Sequence, residues 1–353
     1  MRKVAVVVPE ASGGVKAVGD KLVDGLLREG FNVIRINIYG KKRISRVFQD
    51  LSNVESLRFF DAVIYMGSIP YPSSWFIKSS TKVLVFLHGF IVHEIISELC
   101  DPHIPLGIKI KSLYLLQSWN FNKLLGHADL YVCHSLTTCE MNGIYNRFIL
   151  LPQFIFPEEV DQYMEFRKNM EIINKATKIL AYVPSRGRSP RLLSQTDLLK
   201  LVYCASKRIG NRIVELFIID PNAEKPTHNY WNNLIVHTVP YLPRREFIKL
   251  MLKSDLYIDT SIDEELKVSS IEAALLGVPI AKLTHSKFVD RQDYKDEFIW
   301  ASTPKSFIDV LVDYIINKDH LKPYYAKKVL EFLILRRNWN IVSQPLLDFL
   351  RKY

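Results

Sequence analysis

At 353 residues the chain is long enough to fold as two domains, each around its own core. A composition of 48% hydrophobic and 24% charged residues excludes a disordered chain, and no apolar stretch approaches the length of a spanning helix. The formal charge of +10, from 47 basic and 37 acidic residues, suits a polyanionic or phosphate-bearing partner as well as it suits scattered surface Lys and Arg.

The first apolar run, 4–8, stops at Pro9, so it reads as a β-strand and is too short for a signal peptide. A helix is predicted over 15–29, with Gly30 as its stop. Further short runs rich in Val, Ile, Leu, Phe and Tyr fall at 33–38, 62–66, 83–87, 130–133 and 148–151. None alternates strictly, which is how parallel strands buried on both faces look. From Pro152 the rhythm lapses, and 156–175 reads as a linker.

Strands resume at 179–183, 214–219, 234–238, 256–260 and 279–282, with helices predicted at 195–208, 244–253 and 269–276. The end of the chain, 324–353, is helical with breaks near Asn338 and at Pro345. Two successive βα series imply an α/β fold of two doubly wound, Rossmann-like domains, 1–155 with 338–353 and 176–337. Ligands in such sheets lie at the carboxyl ends of strands, so a cleft between two facing domains is the expected active site.

The four cysteines (Cys100, Cys133, Cys139, Cys204) include no C-x-x-C pair, and neither a disulfide framework nor a metal knuckle is expected. With no Asn-x-Ser/Thr acceptor either, the expectation is a cytoplasmic protein. Gly13-Gly14 with Gly19 is neither a dinucleotide fingerprint nor a P-loop, because Asp20 stands where the phosphate-binding Lys would be. The pair is a turn, or a place where an acceptor or phosphate approaches the backbone.

The sharpest chemistry lies in 254–281. Ser-Asp-Leu-Tyr-Ile-Asp-Thr-Ser-Ile-Asp-Glu-Glu is followed by Leu-Lys-Val-Ser-Ser-Ile-Glu-Ala-Ala-Leu-Leu-Gly-Val-Pro-Ile-Ala. A strand ends, an acidic loop follows, and a helix opens near Val268. The amides and dipole of that helix start, around Lys267, Val268 and Ser269, suit a diphosphate. Glu264 in the loop and Glu272 one turn inside suit hydroxyls, of a sugar ring and a ribose respectively. Ser269-x-x-Glu272 also reads as a capping box, a role that competes with ribose binding.

Glu264, seven intervening residues, Glu272-Ala273 and Gly277-Val278-Pro279 resemble the signature of glycosyltransferase family 4. The likeness extends to Ser12-Gly13-Gly14-Val15 before the first helix, to Leu87-His88-Gly89, to 128–135 and to the closing helical stretch 339–353. It implies the GT-B fold, with the C-terminal helix crossing back to the N-terminal domain. It implies retaining transfer of a sugar from a nucleoside diphosphate sugar to an acceptor hydroxyl, with no metal and no cofactor. It assigns Glu264, Arg186 and Arg191 to catalysis, and Glu272, Arg188, Lys267, Val268, Ser269 and Tyr241 to the donor. His88, ending a strand at the expected cleft, is either structural or a catalytic residue that hydrogen-bonds the donor sugar or acceptor. Gly13 and Gly14 form an acceptor or phosphate loop. Which arginine of 186, 188 and 191 grips the diphosphate stays open.

Glu265 and Lys267 stand where the family carries glycines, so Lys267 either contacts a phosphate or obstructs the loop. Two alternatives keep the fold: a nucleotide-sugar epimerase, or a catalytically degenerate binding protein. The acceptor, whether glycan, lipid or protein, is undetermined, and no nucleic acid is expected. Segments 41–48 and 108–125 mix basic and apolar residues. They read as an interfacial surface for peripheral association with an anionic membrane at its inner face, or as half-buried domain helices.

Overall fold

The computed structural model describes residues 2–9, 14–38, 56–67, 80–88, scattered positions between 96 and 117, 126–168, 176–183, 193–294 and 296–352. It divides into unit 1, Met1–Pro152 with Val342–Tyr353, and unit 2, Gln153–Ile341. Segment 41–48 and most of 108–125 lie outside the described residues.

Unit 1 opens with β1 (Lys3–Pro9), α1 (Gly14–Arg28), β2 (Asn32–Ile38), β3 (Ala62–Met66) and β4 (Lys82–Leu87). It continues with β5 (Leu130–Cys133), α2 (Leu136–Met141) and β6 (Phe148–Leu150). The six strands pair in parallel in the order β2-β1-β3-β4-β5-β6. β2 and β3 flank β1 on opposite sides, so the sheet changes direction between the carboxyl ends of β1 and β3. Such a switch point is where a doubly wound sheet leaves a crevice. α1 turns Val18, Leu22 and Leu26 inward, and Gly19 lies so close to β1 that a Cβ there would be 2.9 Å from both Val8 methyls. Gly30, at φ +81°, ends the helix in the left-handed region that favours glycine.

The cysteine expectation is corrected at the end of β5. Cys133 and Cys139 form a disulfide, their Cα atoms 5.8 Å apart. The strand ends on one cysteine, and the first turn of α2 returns the other beside it.

Unit 2 begins with α3 (Pro157–Lys168), where a linker was expected from sequence. β7 (Thr177–Tyr182), α4 (Gln195–Ser206), β8 (Val214–Ile219), β9 (Thr227–Trp231) and β10 (Leu234–Val239) follow. Next come α5 (Arg244–Leu252), β11 (Leu256–Asp259), α6 (Val268–Leu275), β12 (Ile280–Leu283) and β13 (Ile299–Ala301). α7 (Pro304–Ile316) and α8 (Lys318–Arg336) follow, and α9 (Trp339–Val342) carries the chain over the unit boundary after Ile341. α10 (Gln344–Lys352) belongs to unit 1, where it buries Leu346, Leu347 and Leu350.

The second sheet runs β13-β12-β11-β7-β8-β10-β9, parallel except for the antiparallel β9. Its core is double. Ile179, Ala181, Leu256 and Ile258 pack on one face with α4 and α7 side chains, while Leu180, Tyr257 and Ile280 pack on the other with residues of α6 and α8. Burial on both faces is why these strands read as unbroken apolar runs. The direction of this sheet reverses between β7 and β11. Among the described residues no helix is long and apolar enough to cross a membrane.

Candidate functional site

The carboxyl ends of β7 and β11 lie side by side at the switch point of unit 2, and Thr260 ties together what leaves them. Its hydroxyl donates to the Tyr182 carbonyl at the end of β7 (3.1 Å), and its own carbonyl accepts from the Leu193 amide (2.7 Å). Thr260 thus binds both Tyr182, at the end of β7, and Leu193, ahead of α4. Lys267 folds back so that its ammonium donates to the Thr260 hydroxyl at 2.5 Å. Arg186, Arg188, Arg191 and Gly13 themselves lie outside the described residues.

A buried ion pair holds the loop that follows. Asp259 and Lys282 are fully buried, with Nζ 3.7 Å from Oδ2. Lys282 also donates to the Glu265 carbonyl (2.7 Å) and to the Ser261 hydroxyl. Asp259 accepts from the Ser261 amide (2.8 Å) and hydroxyl (2.6 Å), the Ser270 hydroxyl (2.6 Å) and the Lys267 amide (3.3 Å). Burial alone pushes this carboxyl up; Lys282, Lys267 and the Ser261 and Ser270 hydrogen bonds outweigh it and hold it at about 2. Asp259 is thus an ionised acid at the start of α6, satisfying an amide that precedes the first intrahelical bond.

That arrangement corrects the capping-box reading. The N-cap of α6 is Lys267, without a side-chain cap bond. Ser269 lies inside the first turn, and its hydroxyl pairs with the Tyr257 hydroxyl at 2.6 Å. Burial, with Asp259 and then Glu272 adding to it, raises the Tyr257 pKa, so this partner keeps its proton. Val268 and Ser269 present the leading amides of α6 at the carboxyl end of β11.

Glu264 and Glu272 are both buried, at 6% and 8% exposure. Arg244, the first residue of α5, brings its guanidinium within 2.7 Å of Glu272 and donates to the Tyr163 hydroxyl at 3.0 Å. Tyr163 belongs to α3, so the supposed linker supplies part of the site's support. Tyr241, on the loop before α5, is 64% exposed. Unit 2 thus gathers Glu264, Lys267, Val268, Ser269 and Glu272 around one strand end and one helix start.

Unit 1 holds a second cluster. His88 follows β4, and its Nδ1 lies 3.0 Å from Nε2 of His134, the residue after Cys133 of β5. His134 Nδ1 lies 2.9 Å from the Leu151 carbonyl, just past β6. Phe86 stacks on His88 with ring centroids 4.6 Å apart. Gly14 opens α1 beside the switch point between β1 and β3.

Sequence reasoning did not single out Asp259, Lys282, Thr260, Arg244, Tyr163 or His134. Lys282 carried a usable signal: a lone charge within Ile280-Ala281-Lys282-Leu283, a buried strand, needs a counter-ion. So did His134, which ends its strand as His88 ends its own. Among the described residues no cluster of His, Cys, Asp and Glu could hold a metal ion.

No protein-family model and no curated protein matches the sequence. Solved structures do. An alpha-glucosyltransferase (AGT) in complex with UDP is similar at a TM-score of 0.63 with 11% identity, over 99% of this chain and all (100%) of that one. A sucrose-phosphate synthase from Thermosynechococcus elongatus gives 0.63 and 11%, over 100% of this chain and 99% of its own. HepE of Anabaena, in complex with UDP-glucose, gives 0.60 and 11% over 100% of both chains. At such identities the likeness speaks to the fold: the chain has the GT-B architecture of two Rossmann-like units.

Proposed function

We propose that the chain is a family-4-type glycosyltransferase that moves a sugar from a nucleoside diphosphate sugar to an acceptor hydroxyl, with retention of configuration and without a metal. The Thr260 junction carries this reading. One residue joins the end of β7, Leu193, Lys267 and the loop bearing Glu264 at the switch point of a doubly wound sheet, where ligands of such sheets bind.

The charges favour a division of labour. Asp259, Asp263, Glu264 and Glu265 crowd the loop, against Lys267 and Lys282. Lys282 is already paired with Asp259. A departing diphosphate gains charge in the transition state and needs fixed cations. Those are Lys267 and the arginines among Arg186, Arg188 and Arg191, whose guanidinium groups match phosphate oxygens bidentately. The amides of Val268 and Ser269 add the positive end of α6.

Glu272, steadied by Arg244, takes a ribose hydroxyl, and Glu264 takes a hydroxyl of the transferred sugar. Tyr241 offers an exposed ring to the base. His88 meets a substrate hydroxyl, and Gly13 and Gly14 let an acceptor or phosphate approach the backbone. The UDP and UDP-glucose held by proteins of the same fold support a uridine-type donor. Peripheral attachment to an anionic membrane belongs to the same proposal, supported by the charge of +10; a cytoplasmic setting is proposed with it, although the Cys133–Cys139 bond removes the cysteine argument for it.

A thermal-shift panel of nucleotide sugars is the first test, since a bound ligand raises the midpoint of unfolding. Release of nucleoside diphosphate, and the anomeric configuration of the product by NMR, then separate retaining transfer from isomerisation and from binding alone. If no nucleotide sugar raises the midpoint, the proposal falls.

A further inference from the structure

The two histidines of unit 1 form a directed chain whose sense follows from its anchor. The Leu151 carbonyl can only accept, so the His134 nitrogen 2.9 Å away, Nδ1, carries hydrogen. Neutral His134 then has a bare Nε2. That atom lies 3.0 Å from His88 Nδ1, which must donate to it. Neutral His88 is left with its lone pair on Nε2.

The anchor is rigid. The Leu151 amide donates to the Cys133 carbonyl at 2.8 Å, which continues the β5–β6 ladder beyond its last strand residue. His134 is buried, and Phe86 packs face-on to His88 and edge-on to His134, with centroids 4.6 and 4.8 Å away. The carboxyl ends of β6, β5 and β4 thereby supply the carbonyl, the relay and the terminal ring in turn.

We infer that His134 is a positioning residue that fixes the tautomer of His88, so that His88 presents an acceptor nitrogen to a hydroxyl rather than an N–H to a phosphate. A histidine at a strand end can serve either ligand; the chain from Leu151 selects the hydroxyl. The opposite tautomer of His88 would set its bare Nδ1 against the bare Nε2 of His134. That the hydroxyl belongs to a sugar or its acceptor rests on the glycosyltransferase reading; the tautomer itself does not.

The test uses the full chain labelled with 15N-histidine. Two-bond 1H–15N correlation spectra in mildly alkaline buffer show which ring nitrogen of His88 is protonated, and the His88→Gln variant assigns the signals. Wild type is expected to carry hydrogen on Nδ1 of both rings. In His134→Phe the His88 proton should move to Nε2. In His134→Gln, whose amide can donate to Leu151 and whose oxygen can accept from His88, it should stay on Nδ1.

With UDP-glucose as the probe, nucleotide release by the Phe variant should fall about tenfold, the effect of one lost hydrogen bond of roughly 1.4 kcal/mol. UDP affinity should hold, and the Gln variant should recover most of the rate. A wild-type His88 protonated on Nε2, or a Phe variant with an unmoved tautomer, overturns the inference. If the Phe variant fails to fold, the wild-type and Gln spectra decide. A wild-type protein that never consumes any nucleotide sugar counts against the glycosyltransferase reading, while the spectra still judge the tautomer.

Discussion

Lys282→Met is the perturbation most directly set by the structure of unit 2. It keeps the length of the side chain but removes the ammonium 3.7 Å from Asp259, leaving a fully buried carboxylate and the Glu265 carbonyl short of a donor. Removing one partner of a buried pair costs about 3–5 kcal/mol. The neighbouring Lys267 and the hydroxyls of Ser261 and Ser270 stay, which places the expectation at the lower end. For a unit of this size each kcal/mol lowers the melting midpoint by roughly 2–4 °C, so a drop of about 6–12 °C is expected by calorimetry.

The pH dependence gives a sharper check. In the wild type Asp259 titrates near 2, below its ordinary 3.8, so it contributes stability above 3.8 that is lost as the pH falls toward about 2. In the variant burial is no longer outweighed by Lys282, and the carboxyl rises. Its protonation then relieves the variant, and the deficit against wild type should shrink as the pH is lowered from neutral to about 4. A loss under about 1 kcal/mol, or a deficit that does not change with pH, would refute the reasoning. Adding Asp259→Asn to the variant should restore part of the loss, because no buried charge is then left alone.

Glu272→Ala should weaken UDP binding by roughly 10- to 150-fold, the loss of a charged hydrogen bond of about 1.5–3 kcal/mol; unchanged affinity in calorimetry removes its ribose role. Glu264→Ala should lower turnover of the donor more than UDP affinity, and equal losses would contradict a contact confined to the sugar. Thr260→Val keeps the shape but unties Lys267 and the Tyr182 carbonyl, and should cost about 1–3 kcal/mol with weaker UDP binding; a wild-type melting curve would refute it. Gly19→Ala drives a methyl to within 2.9 Å of Val8 and should cost about 1–3 kcal/mol, unless α1 can shift at no cost in the melting midpoint.

What the sequence disclosed follows burial. The central strands of both units sit between two layers, so each reads as an apolar run within a residue or two of its true bounds. β9 escaped notice because all five of its residues are exposed, and nothing in Thr-His-Asn-Tyr-Trp marks an inner face. β13 is only three residues long. α3 was taken for a linker because the strand rhythm lapses there into Pro, Glu and aromatic residues, although Pro157 suits the first helical position. Glu158 and Glu159 follow it, and Glu159 accepts from the Phe156 amide at 2.8 Å, as a residue in a helix's first turn does.

The spacing of Glu264 and Glu272 was visible as a motif, but the supports of the site were not. Arg244 reaches Glu272 from α5 and Tyr163 reaches Arg244 from α3, connections that only the folded chain makes. Asp259 belonged in sequence to the strand, and its role depends on a helix start eight residues later turning back upon it.

The bond between Cys133 and Cys139 has a further consequence. Both residues are sealed from solvent, at 0% exposure. Thiol–disulfide exchange needs an attacking thiolate in line with a sulfur, and here neither sulfur offers a path of approach while the corner between β5 and α2 stays closed. Exchange at this pair therefore waits on local opening of that corner, and its rate under native conditions is set by how often the corner opens.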